Sequence, residues 1–131
     1  MLTSTYIHIP GVGKTVEQRI WSSGIRTWDE FMGQQDMIPI STAKKESILA
    51  GIDVSLEHLD ARDFGFFARC LPSSEHWRAY RQFSRSVAYV DIETTGLSPK
   101  YDCMTVVGIY DGSGARTYVR GIDLDDIVDE L

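Results

Sequence analysis

The sequence contains few of the residues that mark several common protein classes. Among its 131 residues are only two cysteines, Cys70 and Cys103, and they form no CxxC pair. This spacing argues against a cysteine metal cluster and predicts a reducing, cytoplasmic location. No stretch approaches the roughly 18 apolar residues of a membrane span, and the N-terminus lacks the basic and then apolar pattern of a signal peptide. We therefore expect no association with a membrane.

Basic residues are also in the minority. The chain has 13 Lys and Arg against 19 Asp and Glu, a formal net charge of −6. A globally basic binder of nucleic acid is therefore not indicated, although a local basic patch remains open. The length and the 43% apolar composition suit one medium domain, or a small domain with part of another.

The pattern up to residue 85 is helical. An extended piece over residues 4–9 precedes predicted helices over residues 15–24, 27–32, 41–51, 55–71 and 73–83. Gly51 is expected to end one helix, and Pro72 to end the next. The apolar residues of the first two helices predict a small core rather than a surface for stacking bases. They are Trp21, Ile25, Trp28 and Phe31.

The pattern then changes to strands. Residues 86–93, 104–112 and 115–121 are rich in β-branched and aromatic side chains, and the "DGSGA" between the last two has hairpin chemistry. A helix capped by Asp123 is expected after them. The predicted fold class is α+β, with a helical N-terminal arm over residues 1–85 and a three-strand meander with the start of a helix over residues 86–131.

The first of these strands ends in two carboxylates. Asp91 and Glu93 are two residues apart, so they point to the same face of the strand and repel each other. A hard cation such as Mg²⁺ or Mn²⁺ removes that repulsion and can activate water for phosphodiester hydrolysis. Thr94, Thr95 and Gly96 come next, offering hydroxyl and amide groups and a close backbone approach to a nucleotide. The alternative is an exposed strand end whose acids pair with arginine or lysine.

The string "VAYVDIETTGL" closely resembles the first motif of the DEDD-type exonucleases, which have a ribonuclease H-like fold. Predicted ribonuclease H-like exonucleases with a helical N-terminal arm are similar to the segments "CLPSSEHWRAYRQFSRSVAYVDIETTGLS", "MTVVGIYDG" and "TYVRGIDLDDIVDEL". The segment "HIPGVGKTVEQRIWSSGIRTWDEFM" is similar to the start of that arm. The resemblance implies the first half of a ribonuclease H-like domain, 3′–5′ exonuclease activity on DNA or RNA, and Mg²⁺ or Mn²⁺ held by Asp91 and Glu93. It also implies that Thr94, Thr95 and Leu97 approach the terminal nucleotide, with Leu97 as an apolar wedge.

The chain departs from that family after the first motif. The family uses two further aspartates, one of them in an N-x-x-x-F-D-like motif, and this sequence contains no asparagine. We therefore expect a fragment or one half of a nuclease that is inactive alone. The alternative is a non-catalytic nucleic-acid-binding or assembly module. Without a later strand, the edge over residues 87–92 is expected to be covered by a second copy, by a separately encoded second half, or by the helical arm.

The glycine-rich turn "IPGVGKT" near the N-terminus allows two functional interpretations. A P-loop requires glycine at position 8, where His8 stands instead. A helix-hairpin-helix turn, which the segment resembles, would place Gly11, Gly13 and Lys14 on a nucleic-acid backbone. A purely structural turn at the start of a helix is the alternative.

Several arginines precede the strand with the two carboxylates. Arg78, Arg81 and Arg85 lie at positions i, i+3 and i+7, which puts them on one face of a continuous helix. That face predicts a track for a nucleic-acid backbone. The alternative is a solvated face whose arginines pair with acidic neighbours, among them Glu75, Asp60 and Asp63.

Overall fold

A computed structural model describes residues 1–129, and the chain divides into two compact units, Met1–Phe83 and Ser84–Leu131. The α-helices of the first unit are α1 (Lys14–Ser22), α2 (Trp28–Gln34), α3 (Thr42–Asp60), α4 (Phe64–Cys70) and α5 (Tyr80–Phe83). In addition, 3-10 helices lie at Leu2–Ser4, Gln35–Met37 and Ser73–Ala79. Within residues 1–129, no helix has the length and hydropathy of a membrane-spanning segment.

Side-chain caps begin three of these helices. Thr27 and Glu30 form a reciprocal capping box at α2, Ser41 accepts from the amide of Lys44 at α3, and Asp63 accepts from the amide of Phe66 at α4. Each cap satisfies an amide that the first helical turn leaves without a partner. The hydrogen bond from the Phe66 amide is the main reason that the pKa of Asp63 lies below its usual range.

The predicted helix end at Gly51 is wrong, because α3 continues through it to Asp60. A Cβ on Gly51 would lie 2.5 Å from Cγ2 of Ile9, so the glycine is where the N-terminal segment packs against the helix. The break comes later, at Arg62, whose backbone is left-handed with φ 56°. Asp63 then starts α4, which ends just before Pro72 as expected.

Residues 4–9 are not the extended piece that the sequence predicted. A 3-10 helix at Leu2–Ser4 leads into successive turns, in which the amide of Ile9 donates to Tyr6 and that of Val12 donates to Ile9. A buried hydrogen bond holds this segment in place, because the Trp28 indole donates to the Thr5 carbonyl at 2.8 Å. Residues 1–10, all of which the structure describes, contain no strand before the glycine turn, and this removes the P-loop interpretation.

The core of the first unit is a single cluster of buried side chains. The predicted core around the first two helices is confirmed, with Ile25, Trp28 and Phe31 fully buried and Trp21 packed against them. Further buried residues of this core come from the N-terminus, from α1 and from the rest of the unit. They are Leu2, Tyr6, Ile9, Val12, Ile20, Ile38, Ile48, Ile52, Phe67, Leu71, Ala79 and Phe83.

The second unit is an antiparallel meander in the order β1-β2-β3, as the sequence predicted. Its strands are β1 (Tyr89–Thr94), β2 (Met104–Tyr110) and β3 (Ala115–Val119). Asp111 organises the hairpin turn, accepting from the hydroxyl and amide of Ser113 and pairing with Arg116 at 3.0 Å. These bonds hold the pKa of Asp111 well below its usual range. A short 3-10 helix at Ser84–Ser86 precedes the sheet.

One face of the sheet carries the small core of the second unit. Val107, Ile109 and Tyr118 are buried there, and Leu124 and Ile127 pack against them. These last residues belong to a 3-10 helix, Leu124–Asp129, where an α-helix was expected. The carboxylate of Asp123, the expected cap, accepts from the amide of Val119 at 2.7 Å. The last two positions of the expected helix, 130 and 131, lie outside the described residues.

Candidate active site

Strand β1 presents Asp91 and Glu93 on one face of the sheet. Asp91 lies opposite Gly108 and Glu93 lies opposite Val106 in the antiparallel register. Both carboxylates are therefore on the face of the sheet opposite the one that carries the buried side chains of β2. The rise of an extended strand separates their Cα atoms by about 6.8 Å. Both residues are exposed, so the pair faces solvent at the edge of the sheet.

Neither carboxylate is neutralised within the described part of the second unit, residues 84–129. No ion pair or side-chain hydrogen bond of Asp91 or Glu93 is present in that part of the chain, so no arginine or lysine of this unit pairs with them. Their cross-strand neighbours are glycine and valine, which bring no charge. Two like charges thus stand together on an open face, which suits a cation from solution.

A shallow depression of about 270 Å³ adjoins Asp91. Gly108 forms part of its lining, and the position that a Cβ would occupy there is open space. Thr117 lies across from Gly108 on β3, so the carboxylate, the glycine and the threonine form one row across the sheet. The rings of Tyr89 and Tyr110 border the depression, with their centroids 6.2 Å apart.

The loop after β1 is held by Asp102, which the sequence did not single out. Its carboxylate accepts from the Thr95 hydroxyl at 3.1 Å and from the Ser98 amide at 2.8 Å. A Cβ on Gly96 would lie only 2.6 Å from Oδ2 of Asp102. Glycine is therefore required at position 96 because the Asp102 side chain packs against its backbone within the loop. The available sequence signal was an aspartate shortly after the Ser-Pro turn.

The threonines of the loop use their hydroxyls internally. The Thr94 hydroxyl donates to the Gly96 carbonyl at 2.6 Å, after a register shift between Glu93 and Thr94. The Thr95 hydroxyl accepts from the Cys103 amide while it donates to Asp102. Both hydroxyls thus shape the loop. Leu97 is different, because its side chain is 100% exposed beside a second depression of about 330 Å³.

The two carboxylates supply only part of a metal site. They are the hard oxygen ligands that Mg²⁺ and Mn²⁺ prefer, and their face is open. Among the residues that the structure describes, no group of three or more His, Cys, Asp or Glu side chains comes together. By their chemistry, these two carboxylates could serve a divalent cation only as two ligands of a larger set.

The continuous helix expected to carry the predicted arginine track is not present. Residues 73–86 are two 3-10 helices around a four-residue α5, and Arg85 belongs to the second unit. Arg78 is turned inward, with its side chain 11% exposed. It donates to Glu17 at 3.0 Å and to Glu75 at 2.7 Å, so its charge is used inside the first unit. Arg81 and Arg85 are exposed.

The glycine turn remains at the surface as the start of α1. Gly11 has φ 75°, and its carbonyl accepts from Nζ of Lys44 at 3.0 Å. Gly13 is the N-cap of α1 and offers no side-chain cap. Lys14 pairs with Glu75 at 2.5 Å, and this bond is the main cause that lowers the pKa of Glu75.

Comparison with known families bears on the second unit alone. The model of the RNase H superfamily matches residues 88–128, which is less than half of the chain and includes the whole meander. The match supports an RNase H-like fold for this segment, and the helices together with the three-stranded sheet make the chain α+β. Searches of curated proteins and of solved structures returned no match.

Proposed function

We propose that the second unit supplies Asp91 and Glu93 to a metal-dependent nuclease site of the 3′–5′ exonuclease type, acting on the phosphodiester bonds of DNA or RNA. The supporting observation is the unneutralised carboxylate pair on β1, within the segment that matches the RNase H superfamily. The loop after β1 is preorganised by Asp102. Additional ligands would come from carboxylates outside this pair.

Different residues of the chain would have different roles in such a site. Asp91 and Glu93 would hold Mg²⁺ or Mn²⁺, which when bound supplies Lewis acidity and an activated water. Leu97 projects from the loop and would pack against the terminal base as an apolar wedge. Thr94, Thr95 and Gly96 fix the loop, because their hydrogen bonds and close contact with Asp102 leave it few alternative shapes. Their backbone groups then border the terminal nucleotide.

Calorimetric titration with Mn²⁺ tests the metal assignment. The wild-type chain is expected to bind Mn²⁺ in the millimolar range or weaker, because two carboxylates are few for a dedicated site. The Asp91→Asn, Glu93→Gln double variant should lose that binding. An Asp125→Asn, Asp126→Asn double variant removes two exposed charges elsewhere in the same unit and serves as the matched control. Equal curves for wild type and the first variant would exclude the pair as ligands.

Hydrolysis assays separate this proposal from its alternative. The isolated chain is expected to show little nuclease activity, since two of the four carboxylates that the DEDD type uses are not supplied. Strong hydrolysis that disappears in the Asp91→Asn, Glu93→Gln variant would confirm the site and refute its incompleteness. Binding of nucleic acid that is indifferent to Mn²⁺ and to this variant would favour the non-catalytic binding or assembly module.

Contacts to a nucleic-acid backbone are part of the same proposal. Gly11, Gly13 and Lys14 would offer amides and one ammonium group at the start of α1, and Arg81 and Arg85 would add exposed charges. Neutralising Lys14, Arg81 and Arg85 should lower the slope of log K against log salt by up to about one unit for each lost phosphate contact. An unchanged slope would remove these residues from the interface.

A further inference from the structure

The first unit exposes a tryptophan that its core does not use. Trp77 is 57% exposed, although it lies on a 3-10 helix, Ser73–Ala79, whose neighbouring Glu75 and Ala79 are buried. Tryptophan side chains are highly buried on average, so a half-exposed indole is an informative exception. The other two tryptophans have internal bonds, with Trp21 donating to the Ser4 carbonyl and Trp28 to the Thr5 carbonyl.

A buried guanidinium lies against this indole. The Cζ atom of Arg78 is 5.6 Å from the ring centroid of Trp77 and 5.6 Å from that of Trp21. Glu17 and Glu75 hold the guanidinium at 3.0 and 2.7 Å, so its position is set by two carboxylates. The contact therefore restricts the indole before any ligand arrives, which lowers the entropic cost of binding on it.

The groove beside the two indoles has a volume of about 300 Å³. Backbone and side chains of the N-terminal segment, including Ser4 and Thr5, form its other wall. The Arg78 guanidinium, which lines the groove, already pairs with Glu17 and Glu75. A ligand would therefore gain little by forming an ion pair with Arg78. The surface that remains for a ligand is the face of an aromatic ring, which favours a flat, polarisable partner over a bare anion.

We propose that Trp77, supported by Arg78, is a stacking platform for an unpaired base of single-stranded nucleic acid. The class of ligand rests on the proposed function, but the site lies in the other unit and requires no metal. Stacking on tryptophan accepts any base, because every base has a π face. Lys14 is joined to this platform through Glu75, and its side chain is 65% exposed. Its ammonium group can therefore meet a phosphate of the stacked strand.

A binding assay on the full chain in EDTA tests the platform. The probe is a fluorescently labelled dT10 strand, monitored by anisotropy and by quenching of tryptophan fluorescence. Trp77→Ala is expected to weaken binding at least about fivefold, the lower end of what one base stack contributes. Trp77→Phe should retain most of the affinity. Met37→Ala, which removes another exposed apolar side chain of the same unit, should bind as wild type.

Three results would overturn the platform: no binding of dT10 by wild type at low salt, equal binding by wild type and Trp77→Ala, or tighter binding of a blunt duplex or a proline-rich peptide than of dT10. Thermal melting of each variant checks that the fold is kept. Failure of the nuclease proposal is distinguishable. In that case Mn²⁺ would not bind at Asp91 and Glu93, while binding of dT10 in EDTA would still depend on Trp77.

Discussion

The two units of the chain are stabilised in different ways. The first gathers fifteen buried residues in one cluster, whereas the second has three in its own, counted over the described part of the chain. On β1, Val90 and Ile92 stay about half exposed on the face that carries that small core. The unit that carries the candidate catalytic residues is thus the one with the least apolar burial to hold it together.

The charges differ in the same sense. Residues 1–83 carry nine basic and ten acidic side chains, while residues 84–131 carry four basic and nine acidic ones. The first unit uses several of its charges internally, as in the buried pairs of Arg78 with Glu75 and with Glu17. The second unit leaves Asp91 and Glu93 without such partners within its described residues, 84–129. The charge of Arg78 thus serves the structure of the first unit, whereas the charges of Asp91 and Glu93 are available to ligands.

Breaking the internal pair should have the largest effect. Arg78→Met leaves Glu17 buried without its partner, and such a loss costs about 3–5 kcal/mol in the free energy of unfolding. Urea unfolding monitored by tryptophan fluorescence reports on this unit alone, because all three tryptophans lie within residues 1–83. Arg81→Met, at an exposed position, should change the free energy by less than about 0.5 kcal/mol. Equal midpoints for the two variants would show that the pair contributes nothing.

Hydrogen exchange should separate the units by local stability. At low concentration, amides over residues 87–92 are expected to exchange at least about a hundredfold faster than those of the buried middle of α3, because β1 is an edge with little burial. If a second copy covers that edge, exchange should slow as light scattering detects dimers in a concentration series. If a separately encoded half covers that edge instead, the isolated chain should be a monomer of marginal stability. A monomer with fast exchange in β1 and a cooperative, high melting transition would refute the need for any covering partner.

The packing of the first unit can be probed through its glycines. Gly51→Ala puts a Cβ into Ile9 and should lower the free energy of unfolding by about 2 kcal/mol through overpacking. Gly33→Ala in α2 is the matched control, since no atom lies within 4 Å of its would-be Cβ. The control should stabilise the unit by roughly 0.5–1 kcal/mol, because alanine is the better helix former. Stabilisation by both substitutions would mean that Ile9 moves aside freely.

The smallest effect concerns pH. His8 is buried between aromatic rings with its Nε2 against the Ser55 hydroxyl at 2.8 Å, and burial lowers its pKa to about 4. Below about pH 6.5 the unfolded chain binds a proton that folded His8 does not accept until about pH 4. The free energy of unfolding should therefore fall by about 1 kcal/mol from this group between pH 7 and pH 5.5.

His8→Gln provides the comparison for that pH dependence. Its free energy of unfolding should change less than that of wild type over the same interval, measured by urea titration at each pH. A parallel fall in both proteins would assign the pH dependence to groups other than His8.

The sequence by itself determined the features that neighbouring residues control. Thr27 and Ser41 cap their helices, the three strands appear in the expected order, and Asp91 and Glu93 share a face because side chains alternate along a strand. Only the tertiary structure decided what glycines, charges and buried groups do. Arg78 is a partner of Glu17, 61 positions away, Gly51 makes room for Ile9, and Gly96 makes room for Asp102. The helical and strand periodicities of the sequence do not predict such contacts, because the residues come together only when the chain folds.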